Sequence, residues 1–550
     1  VAHINVSRVG GRTLGLACIS LALLSGSAAA GAPAAVVSPA EAGSRAVTAS
    51  AAPGVIGART VGDPFYPTLG NGGYDVRDYE LDLTWHVPDT VRPAGWIEGV
   101  ATIGLVPDVD LAEFSLDLTR ANTRVLGVAI EGRPVAHRAD GFGRKLIVTP
   151  ETALPAGFET TLSVSWTATP MGVNKLGEEL PLEGPGASGI EALQSLARGF
   201  LSDSHGGFFM ASQPNGAHSL FPANDTPIDK APVTVRLTAP AGMLGVATGT
   251  RVEQTANEDG TTTTTWASLD PVATHVLAMG VGRWSVLESD LPGAPHQRSS
   301  VPTELAALTP LRLGVLGAAV SWLEGAIGRP YPFRSLGFQL VAPGSTDAIL
   351  EGQTLILAGA GMLDPRVSDC DWRGLVVHET AHQWFGDSVS LLRWDQKWLS
   401  EGHATFYERL YDAASGCDAL GLAERMRRIY EHGQSVRDRG GPPDRPRAPR
   451  YAYDSTIYDQ GALALYALRQ QVGATVFRDI ETAWLDRFAG DSASTDDFIS
   501  LASQVAGTDL SRFLEDWLRS DTLPPMPGHP DWASPPLPTG SAAPAASAAP

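Results

Sequence analysis

Residues 376–385 read Val376-Val377-His378-Glu379-Thr380-Ala381-His382-Gln383-Trp384-Phe385. Two histidines four positions apart leave a helix from the same face, one turn apart, so their imidazoles can share one ion. Glu379 stands one position past the first of them. Its carboxylate therefore reaches a point beside the metal rather than on it, which is the place of a general base. A catalytic zinc takes three protein ligands and keeps one corner for water, so a third donor must come from another segment. Glu401 supplies it, in Trp398-Leu399-Ser400-Glu401-Gly402-His403-Ala404-Thr405-Phe406-Tyr407-Glu408, with eighteen residues between it and His382. Glu408 lies two turns further along the same face, where it can orient a ligand histidine.

Working outward, the apolar spacing is helical over 305–327, 372–385, 398–411 and 459–472, with short strands expected at 336–340 and 354–357. Upstream the period changes. Tyr79, Leu81, Leu83 and Trp85 alternate with Asp78, Glu80, Asp82 and Thr84, and similar runs at 97–105, 233–237 and 261–266 are divided by turn residues such as Asn257, Glu258, Asp259 and Gly260. The fold class read from this change is a multidomain α+β chain: an antiparallel β domain over 63–286, then a mainly helical catalytic domain over 287–527.

The ends have a different character. Arg8 and Arg12, the apolar run Leu14 to Leu24, and the small residues Ser25 to Ala30 have the three parts of a secretory signal over 1–30. The apolar run falls short of the ~20 residues a spanning helix needs. A start at Val1 fits a bacterial reading frame opened at a valine codon or a truncated chain. Residues 31–62 read as a flexible leader and 528–550 as a disordered tail, both rich in Ala, Gly, Pro and Ser. The expected localisation is secreted or extracytoplasmic. Cys18 would leave with the signal, so Cys370 and Cys417 remain, either as a disulfide or as two buried thiols. Their spacing matches no cysteine-type zinc site.

A chain of 550 residues, 43% hydrophobic and 18% charged, can build two packed cores. Its net charge of −20, from 60 acidic and 40 basic residues, argues against a nucleic-acid partner.

The pair His378-Glu379-Thr380-Ala381-His382 and Trp398-Leu399-Ser400-Glu401-Gly402 resembles the aminopeptidase N family of gluzincins, which includes leukotriene hydrolase. The likeness extends to Ser212-Gln213-Pro214-Asn215-Gly216-Ala217, to Phe221-Pro222-Ala223-Asn224-Asp225 and to Ile349-Leu350-Glu351-Gly352-Gln353-Thr354. It implies a saddle-like β domain on a thermolysin-like catalytic domain, in a short member that ends after the catalytic domain. It also implies that Glu351 binds the substrate's α-amino group, with Gln213 and Asn215 assisting from the β domain. The chain departs from the family pattern at Ala348 and Gly352, where glycine and asparagine are usual, and Asn215 offers an amide rather than a carboxylate. Tyr458, in Ile457-Tyr458-Asp459-Gln460-Gly461, falls where the family places the tyrosine that donates to the developing oxyanion. Tyr451 and Tyr453 are its rivals, but Tyr458 alone has a glycine three residues on and a helical run behind it.

His403 points to another side of its helix from Glu401 and is read as structural. Trp384, Trp394 and Trp398 are read as packing around the site. The expected function is that of a zinc metallopeptidase with one Zn2+ per chain, acting as an aminopeptidase on peptides with a free N-terminus. An activated water attacks with Glu379 as base. No nucleic-acid partner and no stable membrane insertion are expected. An endopeptidase, another hydrolase on the same scaffold, or a non-catalytic binding protein are the alternatives.

Overall fold

Strict alternation builds the first domain. In the computed structural model, which describes residues 54–171, 199–290, 295–346, 349–364 and 366–536, Tyr74–His86 is a strand with Tyr79, Leu81, Leu83 and Trp85 buried and Glu80 and Asp82 exposed. The signal, Cys18, most of the leader, Ala348 and residues 537–550 lie outside the described residues.

Tyr74–His86 sits near the middle of an eight-stranded sheet, between Trp96–Pro107 and Ala231–Ala239. The sheet is antiparallel except at one seam, where Val233 pairs with Tyr79 and Thr238 with Thr84 in parallel. The expectation of a purely antiparallel sheet is corrected there. Alternation fixes which face is buried and carries no information on strand direction. The inner face packs on two four-stranded sheets. One of them, Gly199–Ser202, Phe208–Ala211, Met279–Gly282 and Leu244–Ala247, leads directly into Ser212 and Gln213.

A five-stranded sheet opens the second domain. Its order is Trp284–Ser289, His296–Pro302, Ser335–Val341, Leu355–Gly359, Ile349–Leu350, so the expected boundary at 286/287 falls inside its first strand. Helices Val315–Ile327, Asp369–Ala381, Trp398–Ser415, Tyr458–Val472 and Ala474–Phe488 pack into one apolar core with that sheet. Trp384 and Trp398 lie inside this core. Trp394 lies against Tyr66 and His275, with ring centroids 5.9 and 4.9 Å away. Among the described residues, no helix is long and apolar enough to cross a membrane.

At both ends the described structure reaches into segments that composition reads as leader and tail. Val55–Ile56 pairs with Leu111–Asp117. At the other end, Trp532 stacks on His529 and Tyr466, and Ser534 Oγ accepts from the Gln434 N–H at 2.8 Å. Trp532 and the hydrogen bonds of Ser534 to Gln434 and to the Glu431 carbonyl anchor a segment whose composition alone reads as loop.

Cys370 and Cys417 form a disulfide across 47 positions, tying the first turn of the histidine helix Asp369–Ala381 to the residues just past Trp398–Ser415. Closing a loop of that size stabilises by about 2–4 kcal/mol through the unfolded chain. A Cys370→Ser/Cys417→Ser variant should therefore unfold at lower denaturant, and an unchanged midpoint would contradict the estimate.

Candidate metal centre

The histidine helix starts at Ser368, whose hydroxyl oxygen accepts the Asp371 N–H at 3.0 Å. It ends at Ala381, not at Phe385 as the apolar spacing suggests. His382 caps it and the chain turns at Gly386, with φ 129°, where a Cβ would lie 2.6 Å from Ser400 Oγ. Only glycine admits that turn. It folds Trp384 and Phe385 into the core without continuing the helix.

Glu401 lies in the first turn of Trp398–Ser415 and faces both histidines. Its Oε2 is 3.3 Å from His378 Nε2 and 3.3 Å from His382 Nε2. Each ring's other nitrogen already has an acceptor. His378 Nδ1 lies 3.1 Å from Glu408 Oε2, and His382 Nδ1 lies 3.2 Å from the Phe385 carbonyl and 3.0 Å from Ser400 Oγ. With Nδ1 protonated toward those acceptors, both Nε2 lone pairs turn to the shared point. Two imidazoles and one carboxylate, all buried, with ligand atoms within 4.8 Å of one another, fit the donor set of a catalytic zinc.

The electrostatics suit a cation. Burial would lower the His378 and His382 pKa values, yet the carboxylates around them, Glu401 above all, raise both. Burial would raise Glu401, but Lys397 and the two imidazoles hold it well below the usual carboxylate range. A divalent ion replaces the protons that such a site otherwise gathers. Glu379 is different: burial, reinforced by Glu351 and Glu401 against the two histidines, pushes it up to about 7.

Tyr458 opens the helix Tyr458–Val472, its ring parallel to His378 with centroids 6.0 Å apart. Burial and the nearby carboxylates Glu401 and Glu351 raise its pKa well above 10, so the phenol stays a donor. The glycine three residues on has a packing reason. Gly402 and Gly461 lie at the crossing of their two helices, where a Cβ on either would come within 2.9 Å of the other's backbone. That crossing sets Tyr458 beside Glu401. Gly461→Ala should push the helices apart, and a displacement near 1 Å costs about a hundredfold in turnover. Unchanged kcat would show that the crossing does not position the tyrosine. Of the rivals, Tyr451 pairs with Arg450 and Tyr453 lies under Lys397.

Glu351 follows the edge strand Ile349–Leu350 and accepts a hydrogen bond from Gln213 Nε2. It forms a second cluster with Glu379 and His382, also within 4.8 Å. Asn215, two residues past Gln213, is half-buried. His403 is structural: it bonds the Leu399 carbonyl at 2.8 Å, lies 3.3 Å from Glu481 and stacks on Phe385.

Three residues at the site were not singled out from the sequence. Ser400 lies on His382. Gln383 Oε1 accepts from the Thr354 N–H at 2.8 Å and Tyr331 OH at 3.1 Å, while its Nε2 donates to Asp387 at 2.7 Å and the Gly352 carbonyl at 3.3 Å, fastening the Glu351 loop to the histidine helix. Lys397 Nζ donates to Glu401 Oε1 at 2.5 Å and Gln213 Oε1 at 3.2 Å. A lysine one turn before Glu401 was the only available signal for it.

Residues 313–517 match the model of the peptidase family M1 domain. The chain is 24% identical to the leucyl aminopeptidase of Saccharolobus solfataricus over 58% of its own length and 42% of that protein. It is 25% identical to leucine aminopeptidase 2 of Eremothecium gossypii over 76% of this chain and 64% of that one. The chain thus spans less than two thirds of the length of these curated relatives. Among solved structures, the M1 zinc metallopeptidase from Deinococcus radiodurans superposes with a TM-score of 0.71 at 28% identity, covering 85% of this chain and 99% of that one. A mutant of that enzyme bound to a Tyr-Ser-Ala substrate aligns with the same TM-score at 29% identity.

Proposed function

We propose that this chain, a peptidase family M1 protein through residues 313–517, is an exported aminopeptidase that carries one zinc per chain and removes N-terminal residues from peptides. The observation that carries the reading is the placing of Glu351, joined to Gln213, within 4.8 Å of Glu379 and His382. A carboxylate able to hold an ammonium group stands one residue's reach from the base.

His378, His382 and Glu401 would hold the ion, which when bound polarises the scissile carbonyl and acidifies water at neutral pH. Glu351 fixes the α-ammonium by a charge-assisted hydrogen bond, which sets the first peptide bond over the base. Glu379 takes the proton of the attacking water at a carboxylate oxygen and gives it to the leaving amide nitrogen. Tyr458 donates its O–H to the oxygen that gains charge as the carbonyl is attacked. Export is supported by the signal-like residues 1–30 and by the Cys370–Cys417 disulfide, which suits an oxidising compartment.

The test compares a peptide with a free N-terminus and its N-acetylated form. Losing an ammonium–carboxylate hydrogen bond should slow the blocked peptide by about tenfold to a hundredfold in kcat/KM. Equal rates would favour an endopeptidase.

The pH profile gives a second prediction. Glu379 must be ionised to act, and its carboxyl sits at about 7 before the cation's own field lowers it. Activity should therefore fall on the acid side with a midpoint at or below about 7, where the base is protonated. A rate that rises with acidity through that range would exclude Glu379 as the base.

A further inference from the structure

Lys397 immediately precedes the helix that carries Glu401, and its side chain is fully buried. Its ammonium donates to Glu401 and to Gln213 Oε1, and it lies 4.3 Å from the Tyr453 ring centre. The amide nitrogen of Gln213 donates to Glu351. Both ends of that amide are therefore in use, the donor on Glu351 and the acceptor on Lys397.

A peptide's α-ammonium has donors and no acceptor, so on Gln213 it can use only Oε1. That is the atom Lys397 holds. The oxygen has a second lone pair, but sharing it brings two cations onto one atom in a site shielded from water, where their repulsion is weakly screened.

We propose that Lys397 is a specificity-determining residue: by occupying the acceptor of Gln213 it takes that side chain away from the substrate's N-terminus, throws the anchoring onto Glu351 and weakens the enzyme's grip on free amines. The inference rests on the aminopeptidase reading above. Replacing Lys397 by a neutral side chain frees the Gln213 oxygen and removes a positive charge from the amine's surroundings. Both changes favour the α-ammonium.

The experiment uses the full zinc-loaded chain and its Lys397→Met variant, with Lys397→Leu as a second neutral replacement should the first not fold, and zinc content checked in each. KM is measured for aminoacyl p-nitroanilides and for analogues lacking the α-amino group, together with inhibition by the free amino acid. The neutral variant should lower KM for the free-amine substrate, and Ki for the amino acid, by about fivefold to tenfold, with the desamino analogue little changed. In Lys397→Met/Gln213→Ala the gain should vanish. An unchanged or higher KM for the free amine, or a gain that persists without Gln213, overturns the proposal. Failure of the aminopeptidase reading shows separately, as a wild-type enzyme that cleaves blocked and free substrates alike.

Discussion

Glu379→Gln should leave zinc bound and reduce kcat by about a thousandfold, the middle of the range for a positioned general base. Glutamine keeps the shape and the hydrogen-bonding reach of the side chain, so the two histidines and Glu401 are left undisturbed. What it loses is the ability to take a proton and return it. Before a cation is bound, burial reinforced by Glu351 and Glu401 pushes the Glu379 carboxyl up to about 7, and the cation lowers it from there, so the group stands ionised near neutral pH and able to take a proton. Metal analysis and single-turnover rates of the variant check the prediction. Undiminished hydrolysis with zinc retained would assign the base to another group, such as Glu351, which clusters with Glu379 and His382.

Tyr458→Phe should lower kcat by about a hundredfold to a thousandfold with KM little moved, because the lost hydrogen bond matters only where charge develops. Phenylalanine preserves the ring that lies parallel to His378 and the start of the helix behind it. The hydroxyl alone is removed. A fall in kcat/KM carried entirely by KM would point instead to ground-state binding, and no loss at all would direct attention to Tyr453.

Much of this site could be read from the chain because its parts are local. His378, Glu379 and His382 lie within two turns of one helix, and Glu401 with Glu408 lies on the next, so helical spacing alone gives their faces. Tyr458 stood out from Tyr451 and Tyr453 by a glycine, and the structure supplies the reason in the contact between Gly461 and Gly402. Meetings between distant residues were not legible from periodicity. Gln213 with Glu351, across 138 positions, could be named only through the family resemblance, and Lys397 with Gln213, across 184, was not named at all. Direction was equally hidden: the strand Ala231–Ala239 alternates as an antiparallel strand would, yet runs parallel to Tyr74–His86. The end of the histidine helix was misjudged because Trp384 and Phe385 continue its apolar pattern while Gly386 turns the backbone away.

The chemistry depends on the joining of two helices through one ion. Anomalous diffraction at the zinc edge, on crystals of the purified chain, tests that junction most directly. A single strong peak about 2.0–2.2 Å from His378 Nε2, His382 Nε2 and a Glu401 oxygen is the expected result. A zinc peak bound by the histidines with the Glu401 carboxylate turned away, or no peak in protein that hydrolyses peptides, would contradict it.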